Sequence, residues 1–299
     1  MKHSITLFVT QKCNLRCPYC FVDKESEELQ IWEIDKLFVT NRSHINHVTL
    51  TGGEPMMRHD IGLVIGVLKF LRIPFTLCTN GYKWENLVEY LQRISTTEYA
   101  IQVSIDGNPD THDRLRGTGS YERAHSLLQH IGKSSIPSNI VITVSNTNIG
   151  SVKDVLDLSL RVKVPCSINF VRGKPPDINP GQMSDVINAW VRYAKLFGFS
   201  RQAIMMHAQR MKIVRDYLHH RKTWPFPCIA NGQLTTLWAN GDIGPCEKLP
   251  PIGNIRRWNY NLKPAWREMQ VNRDGCYCDF DCEILHSMKS VRGFWSLIR

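Results

Sequence analysis

The chain has 299 residues, of which 42% are hydrophobic and 21% charged, so it is a folded protein rather than a disordered or fibrous one. Its length allows one large α/β domain, or one such domain with a small appendage. The formal net charge of +10 favours an anionic partner or substrate, but the basic residues are spread along the chain, which argues against a dedicated nucleic-acid-binding module.

Short β-branched segments alternate with segments of helical apolar spacing from the N-terminus to about residue 200. The predicted strands are 4–10, 47–51, 74–79, 99–106, 139–145 and 165–171. The predicted helices between them are 60–72, 84–94, 120–132 and 151–162. Parallel strands joined by helical crossovers end at one common rim. This order therefore predicts an α/β fold, an open partial (β/α)6 barrel, with a flat doubly wound sheet as the alternative.

Beyond the predicted barrel the character of the sequence changes twice. Residues 183–222 have a mostly helical pattern, and from residue 223 proline, glycine, tryptophan and cysteine become frequent while helical spacing fades. A segment with so few core residues needs another source of stability, such as a bound metal. We therefore expect a barrel over 1–200, a helical bridge over 201–222 and a small cysteine-rich iron–sulfur domain over 223–299.

The ten cysteines are the most informative feature of the composition. No apolar run is long enough for a membrane span or a signal-peptide core, so we expect a cytoplasmic protein whose thiols stay reduced and serve metal binding or catalysis. Cys78 and Cys166 are solitary in apolar strands and are interpreted as core residues. The remaining thiols form two groups, Cys13, Cys17 and Cys20 near the start, and Cys228, Cys246, Cys276, Cys278 and Cys282 near the end.

The first group directly follows the first predicted strand, at the rim where parallel strands end. Three thiolates at this spacing can reach one soft metal centre, such as zinc, copper(I) or an iron–sulfur cluster. A structural zinc ion takes four protein ligands, whereas a 4Fe–4S cluster held by three cysteines leaves one iron open. Zinc with a fourth ligand from elsewhere, such as Cys78, stays an alternative.

The spacing of Cys13, Cys17 and Cys20, with Tyr19 just before the last of them, resembles the signature of the radical S-adenosylmethionine (SAM) enzymes. The resemblance implies a partial barrel and a 4Fe–4S cluster whose open iron chelates the amino and carboxylate groups of SAM. In that family the reduced cluster cleaves SAM to a 5′-deoxyadenosyl radical, which abstracts hydrogen from the substrate. An external one-electron reductant, such as flavodoxin or ferredoxin, is implied as a partner.

One further segment at a strand end is similar to a motif of the same family, and another strand end carries a further candidate contact. Gly52, Gly53, Glu54 and Pro55 resemble its GGEP motif, which holds the amino group of SAM. Glycine allows a close backbone approach and a carboxylate can pair with an ammonium, although an isolated segment of this kind is also an ordinary turn. Asn80, at the end of the third strand, is a candidate to contact SAM through its amide, or merely part of an Asn-Gly turn.

The SIDG and HDRLRG segments also resemble those of family members. The resemblance implies Ser104 and Arg116 as the groups that bind the SAM carboxylate, since guanidinium donors suit carboxylates. Asp106 is a candidate for binding ribose or substrate, and Ser145 and Asn169 are further candidates for binding SAM. The alternative for these charged groups is a solvated loop that leads into a helix.

The second cysteine group begins with a C-x12-G-x4-C pattern, within which Asn240-Gly241 predicts a hairpin turn. This pattern resembles the opening of the SPASM and twitch auxiliary-cluster domains, but the chain lacks further cysteines of the full SPASM pattern. We expect one auxiliary 4Fe–4S cluster, while zinc fits the same thiols. The spare thiol, with Cys278 as the candidate, is either buried or donates hydrogen to a substrate radical. The cluster ligands would be Cys228, Cys246 and two of Cys276, Cys278 and Cys282.

These features predict a radical SAM enzyme acting on a ribosomally made peptide, by crosslinking, thioether formation or epimerisation. The first predicted strand begins almost at residue 1, so we expect a separate leader-peptide recognition protein. The alternative substrate is a small anionic metabolite, such as a sugar, nucleotide or cofactor precursor. A zinc-stapled binding protein without activity is a more distant alternative, and neither a membrane nor nucleic acid is expected as a partner.

Overall fold

A computed structural model describes residues 2–23, 27–92, 98–171, 178–220, 230 and 233–269. The strands are β1 (His3–Thr10), β2 (Ile45–Gly52), β3 (Phe75–Thr79), β4 (Tyr99–Ser104), β5 (Ser138–Val144), β6 (Cys166–Phe170), β7 (Leu234–Leu237), β8 (Asp242–Gly244) and β9 (Gly253–Asn254). The helices are α1 (Ile31–Asn41), α2 (Ile61–Phe70), α3 (Trp84–Gln92), α4 (Pro109–Arg116), α5 (Ser120–Ile131), α6 (Val152–Val162), α7 (Pro180–Phe197), α8 (Arg201–His220) and α9 (Leu262–Glu268).

The six strands predicted before residue 172 are all present, and each observed end lies within two residues of its prediction. The four helices predicted between them are present to the same accuracy, and α7 and α8 account for the helical pattern of the following stretch. The alternation of strand and helix, and with it the α/β class, is confirmed. None of the described helices combines the length and apolarity that a membrane span requires.

Three of the described helices, α1, α4 and α9, were not predicted, the first two for identifiable reasons. The start of α1 follows Gln30, which is not one of the small polar residues that usually begin a helix; its backbone N–H donates instead to the Glu33 carboxylate, at 2.8 Å. The short, mostly polar α4 was expected as a loop leading into a helix. It buries His112 and Leu115, so tertiary contacts rather than apolar spacing define it.

The described residues form two compact units. The first consists of the chain up to Ser104 together with Arg116–Asn139 and Ala230–Val271, and the second of Ile105–Leu115 with Ile140–Ile229. The strand order of the first unit is β4-β3-β2-β1-β7-β8-β9, with β1 to β4 and β7 parallel. In the second unit β5 and β6 pair in parallel. The domain boundaries expected at 200 and 222 stay a prediction.

The hairpin predicted at Asn240-Gly241 is confirmed, and it extends the sheet of the first unit. Its first strand, β7, pairs in parallel with β1, and its second strand, β8, pairs antiparallel with β7. Gly241 has φ +91°, a left-handed conformation that glycine adopts without a steric penalty. The glycine of the C-x12-G-x4-C pattern therefore lies in the turn of a hairpin, as predicted.

The sheet of the first unit has one apolar and one polar face. In β3 and β4 buried residues alternate with partly exposed ones, as the two-residue period of a strand requires. Leu77 and Ile101 are fully buried on the core face, whereas Thr76, Cys78 and Gln102 lie on the other. The second face thus carries groups that can contact a polar ligand.

A buried histidine fastens the amino end of β1 to α9. The ring of His3 stacks on that of Trp266 with 3.7 Å between centroids, and the Trp266 indole N–H donates to the Thr235 hydroxyl on β7. Burial lowers the pKa of His3 to about 4, and His44 acts in the same direction. The neutral ring is therefore the form that the fold accommodates.

Protonation of His3 should weaken the fold at low pH. Because the pKa is near 6.5 in an unfolded chain and about 4 in the fold, the unfolded state binds the proton first as pH falls. The free energy of unfolding should decline between about pH 6.5 and about pH 4, and His3→Phe, which retains the stack, should lessen that decline. Denaturant titrations across this range test it. The exposed His59, changed to Phe, is the control, and equal profiles for all three proteins would contradict the assignment.

Candidate functional site

The predicted cluster cysteines lie between β1 and α1, in residues 11–30, of which 24–26 are outside the described ranges; this segment is called the cysteine loop. Cys13 and Cys17 are partly buried and Cys20 is exposed. The loop turns on itself, since the Cys20 N–H donates to the Cys17 carbonyl at 3.1 Å and the Leu15 N–H donates to the Cys13 sulfur at 3.4 Å. The thiols therefore sit on a folded loop at the carboxyl end of β1.

The three thiols of this loop are donors of the type that an iron–sulfur cluster takes. Across the described ranges, no three His, Cys, Asp or Glu side chains lie close enough together to ligate one metal ion. In a 4Fe–4S cluster each thiolate binds a different iron, so the thiols stand farther apart. Burial, with smaller effects of Glu247 and Glu54, raises the pKa of the Cys78 thiol to about 12.

The glycines of the GGEP segment, residues 52–55, allow it to lie directly against the start of the cysteine loop. A β-carbon on Gly52 would collide with the carbonyl oxygen of Thr10, and one on Gly53 with that of Lys12. Pro55 is buried and opens a short 3-10 turn. Only glycine permits this approach, so these residues are needed for shape as well as for any contact with a ligand.

Glu54 is the most strongly perturbed acid of the site. Its side chain is 1% exposed and accepts hydrogen bonds from the Asn80 N–H at 2.7 Å, the Thr79 hydroxyl at 2.8 Å and the Met56 N–H at 3.1 Å. Burial raises the pKa of Glu54 to about 7, against the lowering effects of these donors and of the Arg116 charge. A buried carboxylate held by neutral donors is suited to receive a cationic group.

Asn80 connects Glu54 with the cysteine loop. Besides its backbone bond to Glu54, its side-chain amide donates to the side-chain oxygen Oδ1 of Asn14 at 3.0 Å and approaches the Cys13 sulfur at 4.0 Å. The residues Asn14, Met56 and Thr79 were not among the predicted site residues. Their positions next to motif residues are the only sequence signal that identifies them.

Arg116 and Tyr19 belong to the same neighbourhood of the first unit. The guanidinium carbon of Arg116 lies 5.8 Å from the centre of the Tyr19 ring, and its charge acts on Glu54. Ser104, at the carboxyl end of β4, is partly exposed. The cysteine loop, the GGEP segment and Arg116 are thus brought together from three distant parts of the chain.

The other predicted residues belong to the second unit and have structural partners there. Asp106 is fully buried; its carboxylate accepts the Thr143 N–H at 2.8 Å and its own N–H donates to the His112 ring at 3.0 Å. The Ser145 N–H donates to the Asn148 side chain at 2.7 Å. These contacts connect Asp106 and Ser145 to the strand β5 and the turn that follows it.

Asn169 lies on β6, and its side-chain oxygen accepts a hydrogen bond from Arg210 of α8 at 3.4 Å. Arg210 is buried and also donates to the Ile168 carbonyl at 2.8 Å. Within the second unit, Asn169 therefore contacts a buried cation that was not among the predicted site residues.

The second cysteine group is described at one position. Cys246 is buried and follows β8, in the first unit. The other predicted ligands of the auxiliary cluster lie outside the described residues, namely Cys228, Cys276, Cys278 and Cys282.

The raised pKa of Glu54 has a measurable effect on stability. A carboxyl with a higher pKa in the folded state than its usual 4.5 makes the fold less stable as pH rises through about 7. The free energy of unfolding should therefore carry a decline between about pH 4.5 and 7 that Glu54→Gln removes. Denaturant unfolding at several pH values measures this slope; Glu122→Gln on helix α5 is the control, and an unchanged slope in Glu54→Gln would refute the assignment.

Comparison with known proteins bears on this site. The family model of the Radical SAM superfamily matches residues 7–159, which is 153 of the 299 residues. The sporulation killing factor maturation protein SkfB of Bacillus subtilis (strain 168) is 29% identical over 265 residues, covering 84% of this chain and 62% of SkfB. The mycofactocin maturase MftC of Mycobacterium tuberculosis (strain CDC 1551 / Oshkosh) is 26% identical over 186 residues, covering 58% of this chain and 46% of MftC.

The fold is similar to that of Streptococcus suis SuiB bound to S-adenosylmethionine, with a TM-score of 0.72 and 13% identity over 91% of this chain and 68% of SuiB. SuiB has also been solved bound to its precursor peptide SuiA. This likeness concerns the fold alone and confirms the predicted radical SAM barrel fold class. The chain spans less than two thirds of the length of SkfB or MftC. Since the family model covers more than half of the sequence and includes the cysteine loop, the GGEP segment and Arg116, the chain belongs to the radical SAM superfamily.

Proposed function

We propose that this protein is an enzyme that binds SAM and a 4Fe–4S cluster and removes hydrogen from a C–H bond of a ribosomally made peptide. The product would be a crosslink, a thioether or an epimerised residue. The observation that carries the proposal is the contact of Asn80 with both Glu54 and the cysteine loop. A thiolate donor set and a buried acid suited to an amino group therefore adjoin each other.

Cys13, Cys17 and Cys20 would hold the cluster and leave one iron open for SAM. When bound, the cluster and SAM together supply the one-electron chemistry that takes hydrogen from an unactivated C–H bond. The side-chain amide of Asn80, 4.0 Å from the Cys13 sulfur, would donate to the thiolate and stabilise its negative charge. Asn80 would thus influence the charge on the Cys13 thiolate, while the loop holds that thiolate in place.

Glu54 would bind the amino group of SAM. The N–H donors of the bound amino group would stabilise the carboxylate and lower the pKa of Glu54 from about 7, so binding would keep the carboxylate charged at neutral pH. The neutral donors around Glu54 hold its oxygens in place before a ligand arrives. Gly52 and Gly53 would let the ligand approach the backbone, and Pro55 would keep the following turn rigid.

Arg116 would bind the carboxylate of SAM, with Tyr19 beneath its guanidinium limiting the orientations it can adopt. Ser104 would add a hydroxyl donor from the end of β4. We propose Ser145 and Asn169 as further SAM contacts, since a hydroxyl and a carboxamide can each both donate and accept hydrogen bonds.

Asp106 stays a proposed contact for ribose or substrate. Its burial and its bond to the Thr143 N–H favour a structural role, in which it holds its own segment, Ile105–Leu115, against the carboxyl end of β5. An auxiliary 4Fe–4S cluster would use Cys246, whose buried position after β8 suits a shielded ligand. The other ligands would come from Cys228 and two of Cys276, Cys278 and Cys282, with Cys278 as the candidate hydrogen donor if it is spare.

A peptide substrate is favoured by the names of the similar proteins. SkfB is a maturation protein of a killing factor, MftC is a maturase, and SuiB binds a precursor peptide. A separate leader-peptide recognition protein and a reductant such as flavodoxin or ferredoxin complete the proposal. A cytoplasmic location would keep the ten cysteines reduced.

Replacing one cluster ligand tests the chemistry. After anaerobic reconstitution the native protein should hold about eight irons per chain, and Cys17→Ala about four, with loss of dithionite-driven 5′-deoxyadenosine formation. Because Cys17 lies on a loop, the free energy of unfolding should change by about 0.5 kcal/mol or less. The buried Cys166→Ala is the matched control and should keep both iron and cleavage. Intact cleavage in Cys17→Ala would overturn the cluster assignment, and about four irons in the native protein would overturn the auxiliary cluster.

The substrate class can be decided by co-expression. The protein is produced together with the short reading frames beside its gene, and their products are compared by mass spectrometry with those made beside Cys17→Ala. We expect one peptide to change mass only with the native protein. If no peptide changes while a nucleoside triphosphate accelerates SAM cleavage, the peptide assignment is wrong and the anionic metabolite takes its place.

A further inference from the structure

One side chain joins the two ends of the cysteine loop. Arg58 is 4% exposed, and its guanidinium donates to the carbonyl of Val9 at 2.8 Å and to the carbonyl of Leu29 at 2.7 Å. Val9 is the last residue but one of β1, and Leu29 lies two residues before the start of α1. The planar guanidinium of Arg58 therefore bridges the backbone at the two ends of the loop and sets the distance between them.

The orientation of Arg58 is itself restrained. Its Nε and one terminal nitrogen form a two-pronged pair with the carboxylate of Asp60, at 2.5 Å and 3.1 Å. A two-pronged pair fixes the plane of the guanidinium, and the Asp60 side chain is largely buried as well. The remaining donors of Arg58 consequently point in set directions, which are those of the two carbonyls.

The backbone before Arg58 contacts the start of the same loop. The Gly53 N–H donates to the Thr10 carbonyl and the Glu54 N–H donates to the Lys12 carbonyl, each at 2.9 Å. Glu54 then caps the short turn that leads to Arg58. Six consecutive residues thus hold both ends of the cysteine loop and carry the acid proposed to bind SAM.

Further contacts close the loop near its ends. The Thr10 hydroxyl donates to the Glu28 carboxylate at 2.6 Å, and Lys12 pairs with the same carboxylate at 3.2 Å. The Leu29 N–H donates to the Ala239 carbonyl at 2.6 Å, so both polar backbone groups of Leu29 are engaged. All of these residues belong to the first unit.

We infer that Arg58 is a positioning residue that closes the cysteine loop before any cluster binds and keeps its thiols in register with Glu54. Bringing the ends of a flexible loop together costs entropy, and a loop already closed by the protein spares the incoming cluster that cost. The inference rests on the proposed function for the identity of the bound group. The closure itself involves only residues of the chain.

Lys69 provides a matched comparison. It is also a buried cation, and its ammonium donates to the carbonyls of Leu91 and Tyr90 at the end of α3, at 2.6 Å and 3.3 Å. Its carbonyl partners belong to a helix end rather than to the cysteine loop. Replacing Lys69 therefore disturbs a buried cation of the same kind without releasing the loop ends.

The test compares Arg58→Lys, Arg58→Met and Lys69→Met in the full chain. Hydrogen exchange of the metal-free proteins reports on the amides of Gly53 and Glu54 and on the described parts of the cysteine loop. Iron bound per chain is then measured against added iron under anaerobic conditions, and denaturant unfolding gives the stability of each variant.

In the metal-free native protein the Gly53 and Glu54 amides should exchange slowly. Both Arg58 variants should speed exchange across the loop and raise by about tenfold or more the concentration of added iron needed to fill the four-iron site of the cysteine loop, with Arg58→Lys less affected. Lys69→Met should lose stability but keep native loop exchange and iron uptake.

Fast exchange of these amides in the native protein would overturn the inference without reference to the variants. So would native loop exchange in Arg58→Lys, or equal loop exchange in Lys69→Met and the Arg58 variants at matched stability. The iron content of Cys17→Ala tests the proposed function and does not bear on the role of Arg58. Slow native exchange together with an iron-free protein would leave the closure correct and the proposed cluster wrong.

Discussion

The parallel pairing of β1 to β4 is the constraint on which the candidate site depends. Strands that run in one direction end at one edge, and each end in this sheet delivers one part of the site. The cysteine loop follows β1, Glu54 follows β2, Asn80 follows β3 and Ser104 ends β4. Backbone hydrogen bonds set this arrangement, so side chains from distant parts of the chain meet without needing specific contacts to bring them there.

Burial of charge is the second theme, and it carries a cost in stability. Glu54 is held as an acid with a pKa near neutrality, which destabilises the fold at high pH and prepares a site for a cation. Arg58 and Lys69 are buried too, but each donates hydrogen bonds to backbone carbonyls that would otherwise be buried without a donor. The buried charged groups thus have two roles: Glu54 is suited to bind a cationic ligand, and Arg58 and Lys69 donate hydrogen bonds to backbone carbonyls.

The sequence motifs identified which residues belong to the site, but not which of those residues contact one another. The cysteines and Glu54 stand in short patterns whose spacing is visible in the sequence, so they could be named. The contact of Asn80 with Asn14 spans 66 residues and depends on the alignment of β3 with β1 through β2. Helix α1 escaped prediction because Gln30 replaces the usual capping residue, and the parallel addition of β7 to β1 has no local signal.

The sequence by itself determined the α/β class, the positions of the first six strands along the chain and the residue types that suit a cluster and SAM. Strand alternation and motif spacing are local properties, so they can be read without the tertiary structure. The tertiary structure alone decided the burial and raised pKa of Glu54, the approach of Arg116 to Tyr19 and the closure of the cysteine loop by Arg58. Each of these depends on how close distant segments come and on how much water they exclude. Those quantities exist only once the chain has folded.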